Sequence, residues 1–219
     1  MRWMISVAIL LAGGGPAWAQ SERAYVSGSG GFAAGPDGTS GDLLVEGGVR
    51  IAPSLFVFGD FGQFHNLQPS SVQPAVDQTV TNLASFDGVN VVGSAQVPAW
   101  YSLGGVRYEL PARRHFSPFV FGGVGFARTS PTAQFLFSSG ASLSATPSNA
   151  GDDVTNQVIS SGFFTTPAAT TSLMYALGGG VEVPVAGRLA ADIGYRYSRI
   201  ASDTPINANS VTFGIGYRF

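Results

Sequence analysis

The sequence predicts an all-β fold: an eight-stranded antiparallel up-and-down transmembrane β-barrel, with short turns at one end and long loops at the other. Three observations lead there. Past Gln20 the apolar residues recur with period 2, and no sustained helical period is found. Eight segments carry this alternation, each about the 9–11 residues a tilted strand needs to cross a bilayer. The connections between them alternate between short and long.

Composition narrows the class. The 219 residues include 30 glycines, 13 prolines and no cysteine. Charged residues make up 11%, against roughly 25% in an ordinary soluble domain, while the hydrophobic fraction is an ordinary 45%. Normal apolar content with a net charge of -2 excludes disorder as the main state. A disulfide scaffold and a thiol-ligated metal site are excluded, and a coiled coil needs far more charge. Eleven basic residues against 13 acidic ones leave no basic excess for nucleic acid. Every basic residue is arginine. A GC-rich genome gives one account of this; the suitability of guanidinium for buried ion pairs and phosphate contacts gives another.

Met1–Ala19 reads as a secretory signal, with Arg2 as the positive end, Ile5–Ala12 as the apolar run and Ala17-Trp18-Ala19 as the cleavage site. The mature chain, residues 20–219, is then one barrel domain. The expected strands are Ala24–Phe32, Asp42–Ile51, Leu55–Phe64, Trp100–Leu110, Pro118–Arg128, Ser172–Val183, Leu189–Ile200 and Ser210–Phe219. Ala52–Ser54, Pro111–Ser117 and Pro184–Arg188 are short connections with proline at strand ends. Leu67–Ala99 and Thr129–Thr171 are long, rich in Ser, Thr, Asn, Ala and Pro, and expected to be structureless. Short periplasmic turns and long outer loops describe a bacterial outer-membrane barrel, and an even strand number places both termini on the periplasmic side.

Strand parity gives two faces. In the last strand Val211, Phe213, Ile215, Tyr217 and Phe219 oppose Thr212, Gly214, Gly216 and Arg218. The seventh sets Leu189, Ile193, Tyr195 and Tyr197 against Asp192, Gly194, Arg196 and Ser198; the second sets Leu43, Val45, Val49 and Ile51 against Leu44, Glu46, Gly48 and Arg50. In the fifth strand Val120, Val124 and Phe126 are assigned outward. The less apolar face is mostly glycine, alanine and serine with one or two charges per strand. Small residues suit the lumen of an eight-stranded barrel, which is wide enough only for side chains. The bulky face then meets lipid, and the sheet must close because an unpaired edge in hydrocarbon costs several kcal/mol per group. A soluble periplasmic barrel or sandwich with the faces reversed is the competing architecture. Aromatics gather toward strand ends, with Tyr108, Tyr217 and Phe219 at one end and Trp100, Phe126, Tyr175, Tyr197 and Phe213 at the other, as two interfacial girdles.

Asp192–Ile200 (DIGYRYSRI) followed by Val211–Phe219 (VTFGIGYRF), with Gly104–Leu110 (GGVRYEL) and Pro118–Ala127 (PFVFGGVGFA), resembles the small outer-membrane β-barrel family of OmpA-like, OmpX-like and opacity-type porin proteins. The resemblance covers the mature chain apart from the long loops. It implies that Tyr217 and Phe219 form the terminal signal read by the outer-membrane assembly machinery.

The inferred lumen holds Glu46, Asp60, Glu109, Glu182 and Asp192 against Arg50, Arg107, Arg196 and Arg218. Burying any one alone is costly, so an internal ion-pair network is expected. Two roles stand open for it: fixing register and filling the lumen, or lining a narrow gated ion path. The outer loops carry Asp37, Asp77, Asp87, Asp152, Asp153 and Asp203 and no arginine. The Asp152-Asp153 pair is too few ligands for calcium, and no metal or cofactor is expected. Arg128 and Arg199 fall near the outer rim, at the level of lipopolysaccharide phosphates. Arg113, Arg114 and Arg188 fall in periplasmic turns. Of the two histidines, His115 has Ser117 nearby but lies in a periplasmic turn, and His65 has no serine partner in its strand, so no nucleophilic site is assembled. Gly178-Gly179-Gly180 has no following helix and is not a phosphate loop. The expectation is a monomeric, non-enzymatic barrel that contacts outer-membrane lipids, lipopolysaccharide included, and serves membrane integrity or surface interaction, with a narrow channel as the alternative.

Overall fold

The computed structural model describes residues 23–110, 116–143 and 147–219. The expected signal sequence, Arg113, Arg114 and His115 lie outside them. Eight strands form one closed antiparallel barrel: β1 (Ala24–Gly35), β2 (Gly38–Ala52), β3 (Leu55–Phe64), β5 (Ala99–Glu109), β6 (Ser117–Thr129), β8 (Thr170–Ala186), β9 (Leu189–Ala201) and β10 (Ile206–Arg218), each paired with the next and β10 with β1. The remaining two strands, β4 (Val89–Gln96) and β7 (Thr132–Gly140), pair only with each other.

The register fixes the barrel's dimensions. From Leu177 on β8, the pairing followed one way passes Gly122, Val106, Val57 and Val49 to Ala24 on β1. Followed the other way it passes Tyr197 and Asn209 to Ala34, ten residues further along the same strand. Eight strands with that stagger tilt by about 40° and leave an interior that side chains can fill. Tight turns suit one end. Ser54 adopts φ 67° between β2 and β3, and Gly187 adopts φ 54° between β8 and β9.

The outward face is the bulky one. Phe32, Leu43, Val124, Leu177, Phe213 and Ile215 are all more than half exposed. Outward apolar residues run from Leu43 to Ile51 on β2 and from Val211 to Phe219 on β10, about 20 Å along the axis after tilt, close to the ~25 Å band of a membrane barrel. The inner face is less glycine-rich in effect than the sequence suggests, because large aromatics fill it: Tyr25, Phe56, Phe58, Phe64, Tyr101 and Phe119 are buried there. They fit because glycines face them across the ladder. Tyr25 pairs with Gly48, Tyr101 with Gly62, Phe119 with Gly180 and Phe121 with Gly178. A Cβ on Gly48 would lie 2.3 Å from the Tyr25 ring, and one on Gly62 would lie 2.4 Å from that of Tyr101.

The expectation of structureless loops over Leu67–Ala99 and Thr129–Thr171 is corrected. Those segments fold. A 3-10 turn at Pro69–Ser71, helix α1 (Gln73–Phe86), the β4–β7 ribbon and helix α2 (Thr155–Ser160) surround a separate core of Val72, Val76, Leu83, Val91, Phe135 and Val158, among others. The helical signal is present in sequence: Val76, Thr79, Val80 and Leu83 stand at i, i+3, i+4 and i+7. The ribbon continues the β5–β6 ladder, since Gln96↔Thr132 follows Ala99↔Thr129 across Val97-Pro98 and Ser130-Pro131. The prolines lack ladder donors and interrupt the pairing at the rim. Asn66 Oδ1 accepts from Val97 N at 2.8 Å, and Gln73 Oε1 accepts from Ala95 N at 3.0 Å, which ties the entry segment and α1 to β4.

Two outcomes test this architecture. Ile215→Arg puts a charge on the lipid-facing side and is expected to cost about 2–4 kcal/mol, read as lost membrane recovery and lost heat-modifiable gel mobility. Leu83→Ala empties part of the outer core at about 2–5 kcal/mol. It should speed amide exchange in α1, β4 and β7 while heat-modifiable mobility stays intact, and coincident loss of both would refute a separate outer core.

Candidate functional site

All eight barrel strands send a side chain to one charged cluster in the lumen. Arg107 on β5 is its hub: Nη1 lies 3.4 Å from Glu46 of β2, and Nη2 lies 2.8 Å from Glu182 of β8 and 3.5 Å from Glu109 on its own strand. Arg218 on β10 reaches Glu109 at 2.7 Å through Nη2 and pairs with Glu182 through Nε. Arg196 on β9 lies 2.7 Å from Asp60 of β3 and 3.8 Å from Glu46. The Arg196–Asp60 contact is close but off the hydrogen-bond axis. Tyr25 on β1 donates its hydroxyl proton to Glu46. The β6 contribution is aromatic: the Arg107 guanidinium stands 3.8 Å from the Phe119 ring centroid, and that of Arg196 stands 5.1 Å from Phe121.

This arrangement follows from period 2. Glu46, Asp60, Arg107, Glu109, Glu182, Arg196 and Arg218 all occupy inward parity, and the register brings some of them opposite one another, as in Glu46↔Asp60. Arginine suits the hub because its planar fork can meet several carboxylates at once. Charges alternate through the cluster, so no member is left without an opposite neighbour. Two residues expected in the network stand outside it. Arg50 makes no ion pair among the described residues and lies over the Phe56 ring at 5.0 Å. Asp192 also makes no ion pair among the described residues, and it lines a small cavity with Glu46, Arg107 and Arg196.

That cavity is about 30 Å³, room for a water or two. Toward the loop end the lumen is closed by an apolar plug of Leu44, Phe64, Tyr101, Leu103, Met174 and Ile200. Phe64 and Tyr101 pack with ring centroids 4.9 Å apart, and Tyr101 OH donates to Asp42 at 3.1 Å. Asp42 is a sixth interior acid, fully buried, that the sequence reading passed over. Its parity with Leu44 and Glu46 was the available signal.

The outer aspartates serve local structure. Asp37 accepts from Ser70 N at 3.0 Å, and Asp152 accepts from Asn149 N at 2.7 Å. Asp153 accepts from Thr155 N at 2.9 Å, and its bonds with Thr155 hold its carboxyl below the usual range. Among the described residues no group of three or more His, Asp or Glu is placed to hold a metal. At the loop end, between the outer unit and the β9–β10 connection, a cleft of about 480 Å³ is lined by Val72, Val97, Thr129, Thr171, Asp203 and Ile206 among others. Arg128 and Arg199 are on outward parity just above the apolar band, paired across the ladder with Trp100 and Tyr175. Tyr217 and Phe219 lie at the turn end with ring centroids 5.0 Å apart.

Removing the hub is expected to be costly. Arg107→Met leaves Glu46, Glu109 and Glu182 short of a counter-charge and should lose about 3–5 kcal/mol in denaturant unfolding from lipid vesicles. Adding Glu46→Gln and Glu182→Gln to that variant should recover part of the loss; no recovery would show that the cluster does not act as a charge-balanced unit.

Comparison with known proteins agrees with this geometry. A family model described as the outer membrane protein beta-barrel domain matches residues 5–219. No curated protein matches the chain in sequence. Among solved structures, Neisserial surface protein A is similar with a TM-score of 0.52 and 14% identity, covering 90% of this chain and 96% of that one. A major outer membrane protein from Thermus thermophilus is similar with a TM-score of 0.50 and 15% identity, covering 91% and 100%. At these identities the likeness speaks to the fold alone.

Proposed function

We propose that this chain, which belongs to the outer membrane protein beta-barrel domain family, is a monomeric, non-enzymatic anchor that displays a folded unit at the cell surface. The observation that carries the reading is the filled lumen beneath an ordered outer core. An ion-pair lattice occupies the middle of the barrel and an apolar plug seals its outer half. Above the plug, α1, α2 and the β4–β7 ribbon have a hydrophobic core of their own. Ordering so much chain outside the membrane has a conformational cost that a passive loop does not bear. Presenting a fixed surface to partners gives that ordering a use, and the rim cleft adds a concave feature to it.

The same reading assigns the remaining parts. Met1–Ala19 directs export, and Tyr217 and Phe219 end the last strand as the signal for the assembly machinery. The narrow-channel alternative needs a continuous aqueous path; the plug residues Phe64, Tyr101, Met174 and Ile200 stand across it, each essentially inaccessible. An enzymatic role needs a nucleophile with a base at hand; His65 is exposed at the rim, and its backbone N–H donates to Gly41 O at 2.9 Å.

In planar bilayers the purified protein is expected to give no steady unitary conductance. Steady openings that vanish on Arg107 or Arg196 substitution would replace the anchor reading with the channel one. Grafting the outer unit's sequence out, by joining β3 to β5 and β6 to β8 with short turns, should leave a heat-modifiable barrel that has lost surface binding.

A further inference from the structure

Arg50 has inward parity but takes no part in the lumen cluster, and it is not alone. Its backbone N–H donates to Arg23 O at 2.8 Å, which carries the β1–β2 ladder one position past Ala24↔Val49 and sets the two arginines opposite each other. Arg23 shares the parity of Tyr25, and Arg50 that of Gly48, which faces the Tyr25 ring, so both fall on the lumen side. A hydrogen-bonded antiparallel pair has Cα atoms about 5.5 Å apart. Like charges directly opposite destabilise a ladder. No carboxylate pairs with either arginine among the described residues. Glu109 and Glu182 are held by Arg107 and Arg218, and Asp192 lines the inner cavity.

The pair is positioned by its surroundings. The Arg50 guanidinium lies over the ring of Phe56, which is buried and meets the Tyr25 ring edge-on with centroids 5.6 Å apart. That contact restricts the guanidinium, and Arg50 Nε is buried with no acceptor among the described residues. Arg23 is exposed and Arg50 half-buried, so the pair meets water at the mouth of the barrel. Arg188, exposed in the β8–β9 turn, adds a third cation to the same rim; its carbonyl accepts from Arg218 N at 2.9 Å, on the strand next to β1. Guanidinia that are close together, positioned and without counter-charge suit an oxyanion, because each planar fork can donate two parallel hydrogen bonds to it.

We infer that the turn-end mouth of the barrel, between Arg23 and Arg50, is a binding site for a terminal phosphate group carried by a soluble molecule on that side of the membrane. Charge decides the class. Two unpaired guanidinia are balanced by a phosphomonoester, which carries about −1.5 to −2 at neutral pH, and not by a carboxylate or phosphodiester with a single negative charge. Parity decides the source. A bilayer phosphodiester lies outside the wall, where Val49 and Ile51 of β2 face lipid, whereas Arg23 and Arg50 are on the lumen side. A bound phosphate accepts from both arginines and turns a repulsive pair into a bridged one at the end of the β1–β2 ladder. The site lies at the opposite end of the barrel from the outer unit and does not rest on the surface-display reading.

The test is calorimetric titration of the full mature chain in phosphatidylcholine nanodiscs, which present no anionic lipid, with glycerol 1-phosphate, dimethyl phosphate and acetate. Glycerol 1-phosphate is expected to saturate with a Kd at or below about 1 mM, and to bind about tenfold more tightly than the two singly charged anions. R23Q and R50Q should each weaken it by about tenfold, R23Q/R50Q should abolish saturation, and R50K should keep part of the affinity, whereas Arg128→Gln at the other end should change nothing. Arg23 precedes β1 and R23Q leaves the Arg50–Phe56 contact in place, so it tests the site even if R50Q disturbs heat-modifiable mobility. Affinity unaltered in R23Q overturns the site, as does a wild type that does not saturate. Equal affinity for dimethyl phosphate overturns the assignment to a terminal phosphate. Displacement of glycerol 1-phosphate when phosphatidylglycerol replaces part of the bilayer overturns the soluble source.

Discussion

Closure of the backbone ladder is the constraint from which the rest of the molecule follows. In hydrocarbon no water is present to satisfy a strand edge, so β1 must find β10. The seam runs from Tyr25↔Arg218 to Ala34↔Asn209, and Arg23 N donates to Phe219 O at 2.7 Å to finish it at the turn end. Once eight strands close with a ten-residue stagger, the interior radius is no longer free. Side chains must fill a cylinder of given width. Tyr25, Tyr101, Phe119 and Phe121 lie over glycines for this reason: an aromatic ring on one strand needs an empty position on its neighbour. The glycines opposite these rings are there for packing inside the lumen.

Closure also explains why the charges are inside. Outward positions face lipid, so any ion that the barrel keeps must point inward or sit at a rim. Inside, each ion carries a desolvation cost of several kcal/mol unless opposite charges surround it. The cluster meets that condition by alternation, Asp60 to Arg196 to Glu46 to Arg107 to Glu182 to Arg218 to Glu109, with strands from every side of the barrel taking part. Such a lattice is weak as a source of net stability and strong as a check on register. Slipping one strand by one residue would turn its charge toward lipid and orphan its partners.

How far the sequence carried can be judged from particular elements. Leu55–Phe64 coincides with β3, because a Pro-Ser turn before its apolar run and the polar His65-Asn66 after it mark where it starts and how far it runs. The outward assignment of Val120, Val124 and Phe126 holds as well, despite the glycines that blur that strand. Ends at the loop side were read short: β2 begins at Gly38 and β10 at Ile206, since small polar residues above the membrane pair just as well but carry no apolar rhythm. The outer unit escaped for a related reason. The composition of α1 is loop-like, with Thr, Ser, Asn and Gln on its exposed face, and only Val76, Val80 and Leu83 mark its buried side. Parity found the seven charges that pair, but it could not tell that Arg50 stacks on Phe56, or that Asp192 lines a small cavity with Arg107 and Arg196 without pairing to either. Those facts depend on which way each side chain runs across the lumen, which parity alone does not give.

The distribution of charge outside the lumen completes the argument. The outer unit bears Asp77, Asp87, Asp152 and Asp153 and no cation, with two of these acids tied into turns by backbone N–H groups. The wall just below it bears Arg128 and Arg199. Among the described residues these acids make no ion pair with either arginine. A phosphate-bearing leaflet would repel the unit and attract the wall. The two effects would act in the same direction, drawing the wall toward such a leaflet and the folded unit away from it.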